Sequence, residues 1–120
     1  MTVTETKMMI KAEFIKTYYE WLKDLKEMSD KDYGFKYGWA KSQKEFKDNQ
    51  QTMLTFTKYI FNAFRTDKQW EEAGYEKQII WQLTREGFLS ETSRKWKTFR
   101  YISQATAKQI YKEMKGMEVK

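Results

Sequence analysis

Lys77, Gln78, Trp81 and Arg85 fall on a common side when Tyr75 to Glu86 is wound as a helix, and Ile79, Ile80 and Leu83 fall on the other. Lysine and arginine can donate to guanine edges, glutamine can pair with adenine, and all three can bind phosphate, so the polar side has the chemistry needed to read base edges. Shortly afterwards Arg94, Lys95 and Lys97 surround Trp96. Such a basic run neutralises phosphates without reading bases. Each feature has a plainer alternative. Trp81 would also serve to pack on a second helix or to anchor a protein interface, and the basic run would also serve as a solvated turn that keeps an exposed strand from pairing.

The rest of the inventory limits the chemistry. The 120 residues include no Cys and no His, which removes disulfides, thiolate and imidazole metal sites, cysteine nucleophiles and imidazole acid–base catalysis. No closely spaced carboxylate cluster follows a predicted strand, as a magnesium-dependent phosphoryl-transfer site would need. The expectation is a chain that is not an enzyme, with no cofactor and no metal. The apolar patch Met8 to Ile10 is preceded by Glu5 and lacks a small-residue cleavage site, so no signal peptide is read there. No stretch approaches the roughly 20 apolar residues that span a bilayer. A cytoplasmic protein without membrane association is expected.

The net charge is +6, and its placement is uneven. Residues 1–60 hold eleven lysines against nine acids, residues 61–120 hold twelve cations against eight, and all four arginines lie in the second half. Between Thr92 and Lys112 there are six cations (Arg94, Lys95, Lys97, Arg100, Lys108, Lys112) and no acid. This segment therefore draws attention as an attachment surface for a polyanion.

Positioning these side chains requires a frame. Ile10, Phe14, Tyr18, Trp21, Leu22, Leu25 and Met28 recur at helical spacing and predict a helix from about Thr6 to Met28. The alternating aromatics of Tyr33-Gly-Phe-Lys-Tyr-Gly-Trp39 predict a short strand or extended turn. A second long helix should resume near Ala40, with Phe46, Met53, Phe56, Ile60 and Phe64 on one line. Thr66 or Asp67 then caps a short helix to Ala73, Gly74 makes a turn, and Gly87 closes the helix 75–86. Phe88 to Glu91 and Lys97 to Ile102 read as a hairpin around a basic turn, Thr92 to Trp96. Ser103 caps a last helix from Gln104 to Met114, ended by Gly116. The fold class is thus mainly α with a small antiparallel β-sheet, an α+β protein. Residues 1–51 form a helix–strand–helix lobe and residues 52–120 a second lobe, around one shared core.

Comparing the halves at an offset of 64 aligns Ser29, Lys31, Phe35, Tyr37 and Lys44 with Ser93, Lys95, Phe99, Tyr101 and Lys108. An internal duplication follows as an expectation, with Phe35 and Phe99, and Tyr37 and Tyr101, at equivalent places in one sheet. It implies a monomer with internal pseudo-symmetry, or a weak dimer.

The order from Met53 to Ile102 is long helix, short helix, turn, helix and basic-tipped hairpin, with Leu83-Thr-Arg-Glu-Gly87-Phe88-Leu89 at the junction. It resembles the winged helix-turn-helix family, whose recognition helix commonly ends in Leu-x-x-x-Gly-hydrophobic before the wing. The resemblance covers about 50 residues and implies binding of double-stranded DNA. Helix 75–86 would lie in the major groove and the wing 92–97 on phosphates, with Lys77, Gln78, Trp81, Arg85, Arg94, Lys95 and Lys97 in contact. The doubled order is similar to that of TraN-type accessory proteins of Gram-positive conjugative plasmids, which implies a role near a transfer origin with other transfer or relaxosome proteins as partners. Two other classes compete. One is a phage or plasmid protein-binding module or inhibitor that docks through Trp81 and Trp96. The other is a single-strand or RNA binder that stacks bases on Phe99 and Tyr101.

Overall fold

The computed structural model describes residues 1–37, 46–61 and 65–118. Helix α1 (Val3–Glu27) opens on a reciprocal capping box. The Glu5 amide donates to Thr2 Oγ1 at 3.1 Å, and the Thr2 amide donates to Glu5 Oε1 at 3.3 Å. Its stripe of Ile10, Phe14, Tyr18, Trp21, Leu22 and Leu25 is buried as its spacing requires.

Residues Asp30–Tyr37 form helix α2, where a strand or extended turn was expected. The aromatics that alternate along the sequence also satisfy the i, i+4 helical spacing. Tyr33 and Tyr37 stack at 4.8 Å between ring centroids, and buried Tyr33 accepts a hydrogen bond from Trp21 Nε1 at 2.7 Å. Ser29 Oγ takes the Asp32 amide at 3.2 Å, and Asp30 and Asp32 complement the dipole of the first turn. Phe35 consequently points outward and is 82% exposed. The segment that was to supply the first strand of a duplicated sheet is therefore helical, and among the described residues the first half has no counterpart of the later hairpin. The start of the next helix near Ala40 lies outside the described residues, as does Phe64.

Residues 46–49 are not helical, and helix α3 (Gln50–Phe56) starts where the Asn49 side chain accepts the Thr52 amide at 2.8 Å and caps it. Phe46 precedes it in non-helical chain and still reaches Trp21, at 5.6 Å between rings. A π-helical turn, Thr57–Phe61, follows. Its wider winding brings residue i+5 under residue i, so that Phe61, and not Ile60, enters the core 5.8 Å from Phe56 and 5.0 Å from Phe14.

Helix α4 (Asp67–Glu72) has the second capping box, Thr66 with Gln69. Gly74 turns the chain at φ +99°, and helix α5 (Lys77–Arg85) starts two residues later than the sequence implied, after extended Glu76. Gly87, at φ +86°, leads into strand β1 (Leu89–Arg94), which pairs antiparallel with β2 (Lys97–Ile102) from Leu89↔Ile102 to Arg94↔Lys97. The expected turn Thr92 to Trp96 is thus shorter: Thr92 to Arg94 are paired, and only Lys95 and Trp96 connect the strands. On the outer side of β2, Arg65 forms an antiparallel bridge to Arg100, whose amide donates to the Arg65 carbonyl at 2.8 Å.

Helix α6 (Gln104–Glu118) is capped by Ser103, whose Oγ accepts the Thr106 amide at 3.2 Å and donates to the Gly87 carbonyl at 2.8 Å. Gly116 does not end it; this residue lacks the positive φ of a glycine cap and stays within the helix. Buried residues from Ile10 to Met114 join in one cluster, with Phe14, Tyr18, Trp21 and Phe56 in ring contact at its centre. The observed class is mainly helical with a two-stranded antiparallel sheet. Among the described residues no helix is long and apolar enough to cross a membrane.

Candidate functional site

The unit formed by α4, α5 and the hairpin holds Lys77, Gln78, Trp81, Arg85, Arg94, Lys95 and Lys97. Trp70 anchors it from below: the ring is buried, stands edge-on to Tyr75 at 5.4 Å, and donates from Nε1 to the Arg100 carbonyl at 3.1 Å. Helix α5 turns Ile80 and Leu83, both fully buried, into the common core. Ile79, expected in the core, is only half-buried; it sits at the margin where the apolar face meets the polar one.

Lys77, Gln78, Trp81 and Arg85 are all exposed on the opposite face. Trp81 is not a loose aromatic, however. Its Nε1 donates to Asp67 Oδ2 at 3.1 Å, the Lys77 ammonium lies 4.9 Å from the ring centroid, and the Arg100 guanidinium lies 5.7 Å from it. Arg100 in turn pairs with Asp67 and reaches Glu91 at 3.5 Å. The ring therefore braces α5 against the start of α4 and the middle of the hairpin, and leaves 38% of its surface open. This arrangement also corrects the charge count of the segment 92–112, where Arg100 appeared unopposed. Its side chain is only 13% exposed and is held by two carboxylates from outside or across the hairpin.

At the far end, Arg94, Lys95 and Lys97 are exposed around Trp96. The tip and the start of α4 enclose an open groove whose lining includes Lys68, Gln69, Arg94, Lys97 and Phe99. Lys68 was not singled out in the sequence. The Thr66-x-x-Gln69 capping pattern marks a helix start there, but only the hairpin's position brings Lys68 beside the basic tip. Lys108 and Lys112 are exposed on α6, whose length packs against α3 while its first turn, through Thr106, is hydrogen-bonded to Phe88 at the start of the hairpin.

The acids at either end of α5 are both engaged by the first residues of the chain. The N-terminal ammonium of Met1 lies 3.3 Å from Glu76, and Lys7 Nζ lies 3.3 Å from Glu86. A second tie joins α1 to the unit from below: Glu13 accepts from Arg65 Nη2 at 2.7 Å and from the Tyr75 hydroxyl at 3.0 Å. Burial, and then the Glu13 charge, push the Tyr75 phenol up to about 12. Among the described residues no group of three acidic side chains gathers in a way that could hold a metal ion. The surface therefore offers lysine, arginine, glutamine and indole donors and open aromatic faces, a set that suits an anionic, hydrogen-bonding, stackable partner. No protein-family model, no curated protein and no solved structure matches the chain.

Proposed function

We propose that residues 65–102 act as a winged helix-turn-helix that binds double-stranded DNA, with α5 in the major groove and the hairpin tip on phosphates. The observation that carries this reading is the order and pairing of the elements. Arg65 bridges the outer side of β2, α4 and α5 follow around Gly74, and the hairpin returns beside them. The order helix, turn, helix and hairpin resembles that of a winged helix-turn-helix, and α5 turns Lys77, Gln78 and Arg85 outward, as a recognition helix would turn its reading side chains. In this role Lys77, Gln78 and Arg85 contact base edges, Arg94, Lys95 and Lys97 contact phosphate, and Lys68 extends the phosphate track along the groove. Trp81 orients α5 relative to α4 and presents its open edge beside Lys77. The helical state of Phe35 to Tyr37 removes the doubled order that linked the chain to TraN-type transfer proteins. The reading accordingly stops at duplex binding and assigns no transfer origin.

The test is a titration of a duplex selected from a random pool against its single strand, at two salt concentrations. Duplex affinity should exceed single-strand affinity and fall steeply with salt, and Arg94→Ala with Lys95→Ala should flatten that salt dependence by roughly one to two charges. Absence of duplex binding at low salt, or binding insensitive to salt, would overturn the reading.

A further inference from the structure

The hairpin tip is built against the usual rules for a tight turn. Arg94 and Lys97 pair, so Lys95 and Trp96 alone make the connection, and both occupy the left-handed region, at φ +49° and +69°. Two-residue hairpin turns with positive φ at both positions are normally made by Asn-Gly or a close equivalent, and a bulky residue there is an outlier. Trp96 gains nothing in packing by being there: it is 105% exposed, as open as the residue in an unfolded chain. Neither turn geometry nor the core accounts for the indole. Conformational strain kept in a residue that packs on nothing points to a contact made outside the molecule.

We infer that Trp96 is a wedge that enters the minor groove next to the one facing α5 and inserts its ring between neighbouring base pairs, bending the duplex. This inference rests on the duplex reading above and extends it to the shape of the bound DNA. A hairpin with six-residue strands reaches roughly 20 Å from the end of α5. A major groove is about 12 Å wide, so that reach crosses one sugar-phosphate strand and arrives at the adjacent minor groove. Arg94, Lys95 and Lys97 then lie on the phosphates at either side of the ring. An inserted wedge requires only one flat apolar side chain, and that is what the tip holds. A lipid-anchoring loop would need a broader apolar surface, whereas the cross-strand pairs behind the tip are Arg94 with Lys97 and then Ser93 with Thr98. Pyrimidine–purine steps unstack most easily, so selected duplexes should share such a step at a fixed distance from the bases read by α5.

The experiment uses the full chain and duplexes that it selects from a random pool, with 2-aminopurine placed beside the shared step and a donor–acceptor dye pair at the ends. Binding of the parent protein should raise 2-aminopurine fluorescence and shorten the end-to-end distance. Trp96→Ala should abolish both signals and lower affinity about tenfold, the scale of one lost aromatic stack, without changing the salt dependence. Trp96→Phe should retain most of each signal. Trp96→Gly separates the wedge from a folding defect: by relieving the left-handed strain it should raise the melting temperature while still losing the fluorescence and bending signals. Duplex binding by the parent with neither unstacking nor bending, or with both unchanged in Trp96→Ala, overturns the wedge and leaves duplex recognition standing. Failure of the parent to bind any duplex, with Trp96-dependent binding to vesicles of anionic phospholipid instead, overturns the wedge together with the duplex reading.

Discussion

Removing the Glu13 carboxylate should destabilise the protein more than removing the arginine it holds. Glu13 takes one hydrogen bond from Arg65 and one from Tyr75, and Tyr75 is itself buried. The Arg65 guanidinium lies 4.8 Å from the Trp70 ring centroid and 5.4 Å from that of Phe61, its side chain is 24% exposed, and its Nη1 is already buried without a partner. Glu13→Ala therefore strands a largely covered cation and a buried phenol at once. A hydrogen bond to a charged group contributes about 1.5 to 3 kcal/mol and a neutral one about 1 kcal/mol. Solvent reaches a third of the Glu13 side chain, and the screening it brings reduces the combined loss to about 2 kcal/mol. At roughly 4 °C per kcal/mol for a chain of this size, the melting temperature should fall by about 8 °C. Arg65→Met keeps an aliphatic side chain over Phe61 and Trp70 and removes the unpartnered Nη1 together with the charge, so it should cost only about 1 kcal/mol. The double variant should be no less stable than Glu13→Ala alone, a coupling of about 1 kcal/mol. Urea and thermal unfolding of the three variants decide the matter. Additive single losses, or an Arg65→Met more damaging than Glu13→Ala, would refute this account of how α1 is tied to the helix pair.

Leu83→Ala should cost on the order of 2 to 5 kcal/mol because Leu83 is fully buried, while Arg85→Ala, exposed on the same helix, should leave the melting temperature nearly unchanged; equal effects would mean that α5 has been assigned the wrong inward face. Because the Tyr75 phenol lies at about 12 against an ordinary 10.0, the folded state favours its neutral form. Its contribution is complete below pH 10, should be lost as pH rises towards 12, and should vanish from the alkaline limb in Tyr75→Phe; tyrosinate absorbance that rises before unfolding at an ordinary pH would count against it. At the acid end, burial raises the Asp24 carboxyl, but hydrogen bonds from Lys36 and Tyr37 outweigh it and hold the group below its ordinary 3.8. Stability from Asp24 is therefore present above that value and lost as pH falls below it, and an acid limb unchanged in Asp24→Asn would contradict this sign.

The elements legible in the sequence were those whose local chemistry and packing agree. Thr66, offered together with Asp67, and Gly74, Gly87 and Ser103 each marked a boundary that the structure keeps, because a cap or a positive-φ turn is decided by a few neighbouring residues. Tyr33 to Tyr37 misled because its aromatics satisfy a period of two and the i, i+4 spacing together, and the choice between them is made by Trp21, a partner on another helix. The π-helical turn at Thr57–Phe61 was invisible for a related reason. The seven-three-four line through Phe46, Met53, Phe56 and Ile60 assumes unbroken winding, and the wider π-helical turn exchanges Ile60 for Phe61.

Charge shows the same limit more sharply, and it bears on function. Along the sequence Arg100 counts among six cations without an acid nearby, while Glu76 and Glu86 stand as acids bordering the polar side chains of α5. In the fold Arg100 is taken up by Asp67 and Glu91, and both bordering acids are met by the amine of Met1 and by Lys7, from the far end of the chain. Pairing therefore removes cations from the middle of the hairpin and offsets acids along α5. On this unit Lys77 and Arg85 are exposed along α5, and Lys68, Lys95 and Lys97 line the groove beside the hairpin tip together with Glu72. The exposed cations are thus arranged by contacts between elements far apart in sequence, which a count along the chain does not register.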